Sequence, residues 1–205
     1  TNLSSINPVD RRGLEGAESK LFYEALRILK QIYIFQPSHK KLYFLMENVA
    51  SMRAADRDKI TEELESIFDD EVQLIKIDSA LIAPAHRRRL YWTNLPDITI
   101  PEACGLNYAD ILENGYVDRD KANVLLSGNV TLTKGLFRHF RMNLGNVIYK
   151  DKAFADLSVE EKLAKYPQIL TDSGYLGKSR SVKDELAFLN GCYRHSSIKE
   201  YSRLM

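Results

Sequence analysis

The 205-residue chain has little of what marks several classes of protein. Its only cysteines, Cys104 and Cys192, are far apart and lack metal-type spacing, which argues against a disulfide framework and favours a reducing compartment. No stretch approaches the roughly 18 apolar residues that a membrane helix needs, and the first ten residues show no signal pattern. We therefore expect an intracellular protein with no membrane partner.

The chain also has no large excess of positive or negative charge, since it contains 29 Lys and Arg residues and 28 Asp and Glu residues. A surface for nucleic acid must then come from local clusters of basic side chains and not from the overall charge. The length allows one good core, or one domain with a small appendage, but not several full-sized domains.

Apolar periodicity predicts two helices and several strands in the first half of the chain. Apolar residues recur every three or four positions over 18–33 and again over 56–68, which is typical of helices with one face in a core. Strand-like apolar runs occupy 42–46, 72–77, 81–82 and 89–92. This alternation predicts an α/β layer of parallel strands, with the run at 42–46 buried on both faces. Glu47 would then stand at the carboxyl end of a strand, where such sheets bind ligands.

The character of the sequence changes after Pro96, and we place a domain boundary near residue 100. Beyond it the segment 123–142 alternates apolar residues and carries a basic cluster interleaved with aromatic residues. The cluster comprises Lys134, Arg138, His139 and Arg141. A helical pattern resumes at 182–190.

Glu47 and the arginines at 87 and 89 are the candidate chemical groups. Glu47 suits a general acid, a salt-bridge partner or a ribose ligand, and many carboxylates near strand ends are only structural. Arg87 and Arg89 alternate, so in an extended strand both would project to one face and clamp a planar acceptor or a phosphate. A solvated basic edge strand is the alternative. His86 has no nearby His or Cys partner, so no metal site is expected.

Five landmarks in order resemble a known family. They are the Asn-Leu-Ser-Ser-Ile-Asn-Pro segment at 2–8, the Gly-Leu-Glu-Gly turn at 13–16 before Leu21 and Phe22, Glu47-Asn48-Val49, Arg87 with Arg89, and the Tyr-Trp-Thr-Asn-Leu-Pro segment at 91–96. Together they resemble the DNA cytosine-5 methyltransferases, and most of all the animal de novo enzymes and their phage and bacterial relatives.

The resemblance implies a fold and an activity. It implies part of the Rossmann-like α/β sheet of S-adenosylmethionine-dependent methyltransferases over 1–100, a small target-recognition domain over 101–180, and a return to the catalytic domain over 181–205. It further implies methyl transfer from S-adenosylmethionine to carbon 5 of a cytosine flipped out of double-stranded DNA, without a metal.

The resemblance also implies roles for single residues. Glu47 would hydrogen-bond ring nitrogen 3 and the exocyclic amine of the cytosine. Arg89 or Arg87 would hold the carbonyl oxygen, and the other arginine would brace the cysteine loop or a phosphate. Leu21 would pack on the cofactor's adenine, although a plain core leucine is nearly as compatible. Asn48 is grouped with the substrate-binding residues, where it would fix the turn through backbone hydrogen bonds more than touch the base. Lys134, Arg138 and Arg141 would meet the DNA.

The sequence departs from the family pattern at the catalytic centre. The Phe-x-Gly-x-Gly cofactor loop, the acidic ribose ligand and the Pro-Cys nucleophile belong before Thr1, and the final family motif belongs after Met205. Cys104 and Cys192 stand in the wrong context to replace the nucleophile. We therefore expect a second polypeptide segment to supply the cofactor loop and the cysteine.

Two alternatives stay open. One is a catalytically silent homologue that binds DNA or regulates a partner, and the other is a tRNA cytosine-5 methyltransferase on the same scaffold. The family's distribution favours a bacterial or phage-host cytoplasm, or the nucleus in a eukaryote.

Overall fold

The computed structural model describes residues 13–16, 20–37, 39–68, 72–124, 139, 143, 145–164, 192–194 and 196–204. The chain divides into two compact units. Unit 1 is Thr1–Asp78 with Arg88–Ile100, and unit 2 is Ser79–Arg87 with Pro101–Met205. The roles predicted for 1–100, 101–180 and 181–205 stay predictions. Among the described residues, none of the helices is both long and apolar enough to cross a bilayer.

The described residues of unit 1 form two helices and three strands after a short 3₁₀ turn at Gly13–Glu15. The elements are α1 (Lys20–Phe35), β1 (Leu45–Val49), α2 (Ala54–Glu65), β2 (Gln73–Asp78) and β3 (Arg88–Thr93). Both predicted helices occur, and strands occur at or overlapping the runs predicted at 42–46, 72–77 and 89–92.

The sheet of unit 1 has the order β1-β3-β2, and both pairings are antiparallel. The prediction of parallel neighbours is wrong, because the short connection 79–87 cannot make the crossover that a parallel β2–β3 pair needs. That connection contains a 3₁₀ turn at Ser79–Leu81 where a strand was predicted at 81–82. β1 and β2, which are joined through α2, run in the same direction on either side of β3. The architecture is a mixed α/β one.

The core of unit 1 lies between the two helices and one face of the sheet. Leu90 and Trp92 alternate along β3 and are both buried in it, as the period of two in a strand requires. The Trp92 indole Nε1–H donates to Thr61 Oγ1 on α2 at 2.8 Å, which satisfies a polar group that the core would otherwise bury unpaired. The cluster comprises Leu14, Leu26, Phe44, Met52, Ile60, Leu64, Ile67, Phe68, Val72, Leu90 and Trp92.

The run at 42–46 is not buried on both faces, contrary to the prediction. Phe44 is buried, but its neighbours Tyr43 and Leu45 are exposed, and the strand proper begins only at Leu45. Glu47 consequently lies in the middle of β1 and not at its carboxyl end. The reason is that the core cluster packs on the face that carries Leu90 and Trp92, so that inward and outward residues alternate along the strands.

Unit 2 has little regular structure among its described residues. Strand β4 (Ile148–Tyr149) pairs antiparallel with β5 (Tyr193–Arg194). The short helices are α3 (Lys152–Ala155), α4 (Val159–Ala164) and α5 (Ile198–Leu204), with a 3₁₀ turn at Ala109–Ile111. A small core is formed by Ala85, Tyr108, Ile111, Ala122, Ile148 and Leu204. The helix predicted at 182–190 lies outside the described residues, as does most of the alternating segment 123–142.

Candidate functional site

Glu47 and Arg89 form an ion pair on the sheet of unit 1. Arg89 Nε lies 2.7 Å from Glu47 Oε1, and Arg89 Nη1 donates to the carbonyl oxygen of Arg88 at 2.9 Å. The pairing follows from the strand register, because Val49 lies opposite Arg89 and Glu47 is two residues before Val49 on the same face. The Glu47 side chain is 41% exposed and that of Arg89 is 15% exposed. The carboxylate therefore sits at the surface with the guanidinium packed beside it.

The surroundings of this pair are partly apolar. Tyr91 lies directly opposite Glu47 on β3, with Ile75 of β2 on its other side, while Ile77 lies opposite Arg89. All of these residues share the face of the sheet turned away from the core. The face thus offers an acidic group and a basic group beside an aromatic ring and two aliphatic side chains.

Asn48 projects to the face opposite that of Glu47, because adjacent residues in a strand alternate. Its side-chain Oδ1 accepts a hydrogen bond from the backbone N–H of Val49 at 2.8 Å. In this geometry Asn48 acts on the local backbone, and its contribution to substrate binding stays a prediction.

Arg87 belongs to unit 2, whereas Arg89 belongs to unit 1. Arg87 lies just before β3 and is exposed, and its carbonyl oxygen accepts from the Ser79 N–H at 3.2 Å. The structure therefore joins Glu47 with Arg89, and the role of Arg87 stays a prediction.

Leu21 lies in the first turn of α1 and is 73% exposed, so it is not a core leucine of the described residues. Its predicted contact with a cofactor stays a prediction. Lys134, Arg138 and Arg141 lie outside the described residues. His139, which the sequence groups with them, is buried.

The residues that follow β3 hold the segment before β1 in place. Thr93 Oγ1 donates to the carbonyl of Phe44 at 2.6 Å. Asn94 receives the Phe44 N–H on its Oδ1 at 3.0 Å and donates from Nδ2 to the carbonyl of Leu42 at 2.9 Å. The Thr-Asn part of the aromatic segment thus fixes the entry into β1 and, through it, the position of Glu47.

A second polar cluster lies in unit 2 and was not anticipated from the sequence. We call it the Asp118 network, and it consists of Asp118, Arg119, His139, Tyr149 and Lys162. Tyr149 Oη donates to Asp118 Oδ2 at 2.5 Å, and His139 Nε2 and Lys162 Nζ lie 3.0 and 3.3 Å from the same oxygen. The Lys162 side chain is only 3% exposed. Asp118 and Lys162 also line an open cleft of about 550 Å³.

Burial and hydrogen bonding act in opposite directions on Asp118. Burial raises the pKa of its carboxyl, but the hydrogen bond and charge of His139, together with Tyr149 and Arg119, outweigh burial and hold the pKa well below its usual range. Burial and the Asp118 carboxylate both raise the pKa of the Tyr149 hydroxyl. The network therefore contains an ionised carboxylate and a neutral phenol at neutral pH.

We expect Asp118→Asn to lower the free energy of unfolding by about 2 kcal/mol at pH 7, because hydrogen bonds to a charged acceptor are lost while the shape is kept. Since the pKa of Asp118 is depressed in the folded state, its stabilisation is present above the unfolded pKa near 4 and is lost as the pH falls below that value. Urea unfolding at pH 7 and at pH 3 measures both effects.

The control is Asp156→Asn, which alters an exposed carboxylate paired with Lys152 and should change the stability by less than about 0.5 kcal/mol. Equal loss of stability between pH 7 and pH 3 in wild type and in Asp118→Asn would contradict the assignment.

The members of the Asp118 network come from distant parts of the sequence, so no local sequence motif predicts that they meet. The one available signal was the isolated His139 within a basic segment. Among the described ranges, no group of three or more His, Cys, Asp or Glu side chains could hold a metal ion.

The chain was compared with models of known protein families, and none of them matches it.

Proposed function

We propose that this chain is part of a DNA cytosine-5 methyltransferase, in which Glu47 and Arg89 hold a cytosine that has been flipped out of the duplex. The observation that carries the proposal is the 2.7 Å contact between Arg89 Nε and Glu47 Oε1, on the face of the sheet opposite Leu90 and Trp92. The family resemblance set out above supplies the reaction, and the contact supports it because two residues remote in sequence meet.

The pair matches the hydrogen-bonding edge of cytosine. That edge presents a carbonyl oxygen and ring nitrogen 3 as acceptors and the exocyclic amine as a donor. A guanidinium donates to the carbonyl oxygen, and a protonated carboxyl donates to nitrogen 3 and accepts from the amine. Of the two arginines left open by the sequence, the ion pair favours Arg89 for the carbonyl oxygen and leaves Arg87 for the cysteine loop or a phosphate.

The chemistry needs this polarisation. A cysteine thiolate adds to carbon 6 of the ring, and the electron density that develops is drawn toward nitrogen 3 by the Glu47 proton. Carbon 5 becomes nucleophilic and takes a methyl group, a base removes the carbon 5 proton, and the thiolate leaves. S-adenosylmethionine, when bound, supplies the methyl group.

Three further features of the proposed site concern the cofactor contact, the nucleophile and the cover over Glu47. The exposed Leu21 fits the predicted role of packing on an adenine ring, because it offers free apolar surface. Cys104 and Cys192 stand in the wrong sequence context for the family's Pro-Cys motif, so we propose that the nucleophile comes from outside these 205 residues. The Glu47 side chain is 41% exposed, so in the proposed complex the base and a further segment would cover it.

The test is a methyl-transfer assay. The chain is combined with the polypeptide segment that carries the Pro-Cys motif, and labelled S-adenosylmethionine is offered with duplex DNA or with tRNA. We expect label in DNA only, at carbon 5 of cytosine. Label in tRNA instead would reassign the substrate. Binding of DNA without any transfer would identify a silent homologue, and neither binding nor transfer would overturn the proposal.

A further inference from the structure

The face of the unit 1 sheet opposite Leu90 and Trp92 holds one aromatic strand residue, Tyr91, next to the Glu47–Arg89 pair. Tyr91 is the cross-strand partner of Glu47, which places the two Cβ atoms about 5 Å apart on the same face. Arg89 precedes Tyr91 by two residues and therefore shares this face. In the strand register, Tyr91 lies between Glu47 of β1 and Ile75 of β2.

Neither core packing nor a hydrogen bond within the described residues accounts for the ring of Tyr91. Its neighbours Leu90 and Trp92 point into the core cluster, which does not include Tyr91. Tyr91 is partly buried, and among the described residues no hydrogen bond, ion pair or ring contact of its side chain occurs. Trp92 on the other face does have such a partner, in Thr61.

A base that has been flipped out of a DNA duplex needs two kinds of contact to hold it. Its edge is read by hydrogen bonds, and its face stacks on an aromatic or apolar side chain. Glu47 and Arg89 supply the edge contacts in the function proposed above, and this face has no other aromatic residue in the three strands.

We propose that Tyr91 is the stacking wall of the site, on which the ring of the extruded cytosine lies while Glu47 and Arg89 hold its edge. This inference rests on the proposed function for the identity of the base. The phenol hydroxyl is not required, because the stacking comes from the ring and its aliphatic neighbour Ile75.

The test uses deoxycytidine monophosphate as the probe and follows its titration by heteronuclear NMR of the chain. We expect Tyr91→Leu to raise the dissociation constant about tenfold or more, since stacking on an aromatic ring is worth roughly one to two orders of magnitude in affinity. Tyr91→Phe should stay within about twofold of wild type. Tyr43→Leu is the matched control, because Tyr43 is an exposed tyrosine of the same unit, and it should bind like wild type.

Dispersed NMR spectra show whether each variant is folded, and Tyr91→Met replaces Tyr91→Leu if the latter does not fold. If wild type and the folded variant bind deoxycytidine monophosphate equally well, or if wild type does not bind it, Tyr91 is not the stacking wall. Methyl transfer with unchanged binding in Tyr91→Leu would reject the wall and leave the proposed function standing. If binding depends on Tyr91 but the assembled enzyme transfers no methyl group, the stacking wall stands and the proposed function is rejected.

Discussion

Glu47→Gln is expected to lower kcat for methyl transfer by about 10² to 10⁴-fold with little change in KM. Glutamine keeps the size of the side chain, a donor for ring nitrogen 3 and an acceptor for the exocyclic amine. It has no proton to release toward nitrogen 3 as charge develops on the ring. The substitution therefore separates holding the base from polarising it, and steady-state methyl transfer to DNA by the assembled enzyme measures both.

Two companion variants make this result specific. Glu47→Ala should raise KM as well as lower kcat, because it removes the edge contacts together with the proton. Glu62→Gln alters an exposed carboxylate on α2 and should leave both constants unchanged. Since the Glu47–Arg89 pair is partly exposed, thermal unfolding of Glu47→Gln should match wild type closely. Full activity in a folded Glu47→Gln enzyme would exclude Glu47 as the group that polarises the ring.

Glu200→Ala is expected to lower the free energy of unfolding by about 3–5 kcal/mol, because it leaves the Arg194 guanidinium without its counter-charge. Glu200 is fully buried at the start of α5, and Arg194 donates to it from Nη1 at 2.8 Å and from Nη2 at 2.7 Å. The backbone N–H groups of Glu113 and Ser197 also donate to its carboxylate, each at 2.7 Å. Four donors lose their acceptor in the variant. Chemical denaturation at pH 7 measures the loss.

Replacing both partners, as in Arg194→Met with Glu200→Leu, should restore much of this stability, because the buried charge is removed as well. Asp156→Ala breaks an exposed ion pair with Lys152 and should cost less than about 1 kcal/mol. A loss in Glu200→Ala as small as that of Asp156→Ala would contradict the importance of the buried pair.

The same carboxylate predicts a pH dependence. Burial raises the pKa of Glu200, but the hydrogen bonds from Arg194 and from the two backbone N–H groups outweigh burial and lower the pKa to about 2. The stabilisation is therefore complete above the unfolded pKa near 4.3 and is lost as the pH falls toward 2. Glu200→Gln should flatten this part of the stability profile.

The secondary structure of unit 1 was largely predictable, and its pairing was not. The apolar period of α1 and the apolar run of β2 depend on neighbours within a few residues, so the sequence displays them directly. The direction of β3 depends on the length and path of the connection 79–87, and a strand-like pattern carries no direction. That is why parallel neighbours were predicted where antiparallel ones occur.

The candidate site was predictable in its members and not in its geometry. Glu47 and Arg89 were chosen for residue type and order, and the register of β1 on β3 then brings their charged groups to 2.7 Å. Arg87 was expected on the same strand face but lies outside β3 and is grouped with unit 2. Tyr91 was noted only as part of the 91–96 landmark, because the sequence does not show which residues share its face of the sheet.

The sequence by itself determined most local elements, the near balance of charge and the order of an acid and two arginines, since these follow from composition or from neighbouring residues. Only the tertiary structure decided that β3 runs between β1 and β2, that Glu47 is half-exposed beside Arg89, and that Asp118 and Glu200 each gather several donors. These depend on strand register and on contacts across tens of residues, and such contacts form only when the chain closes on itself.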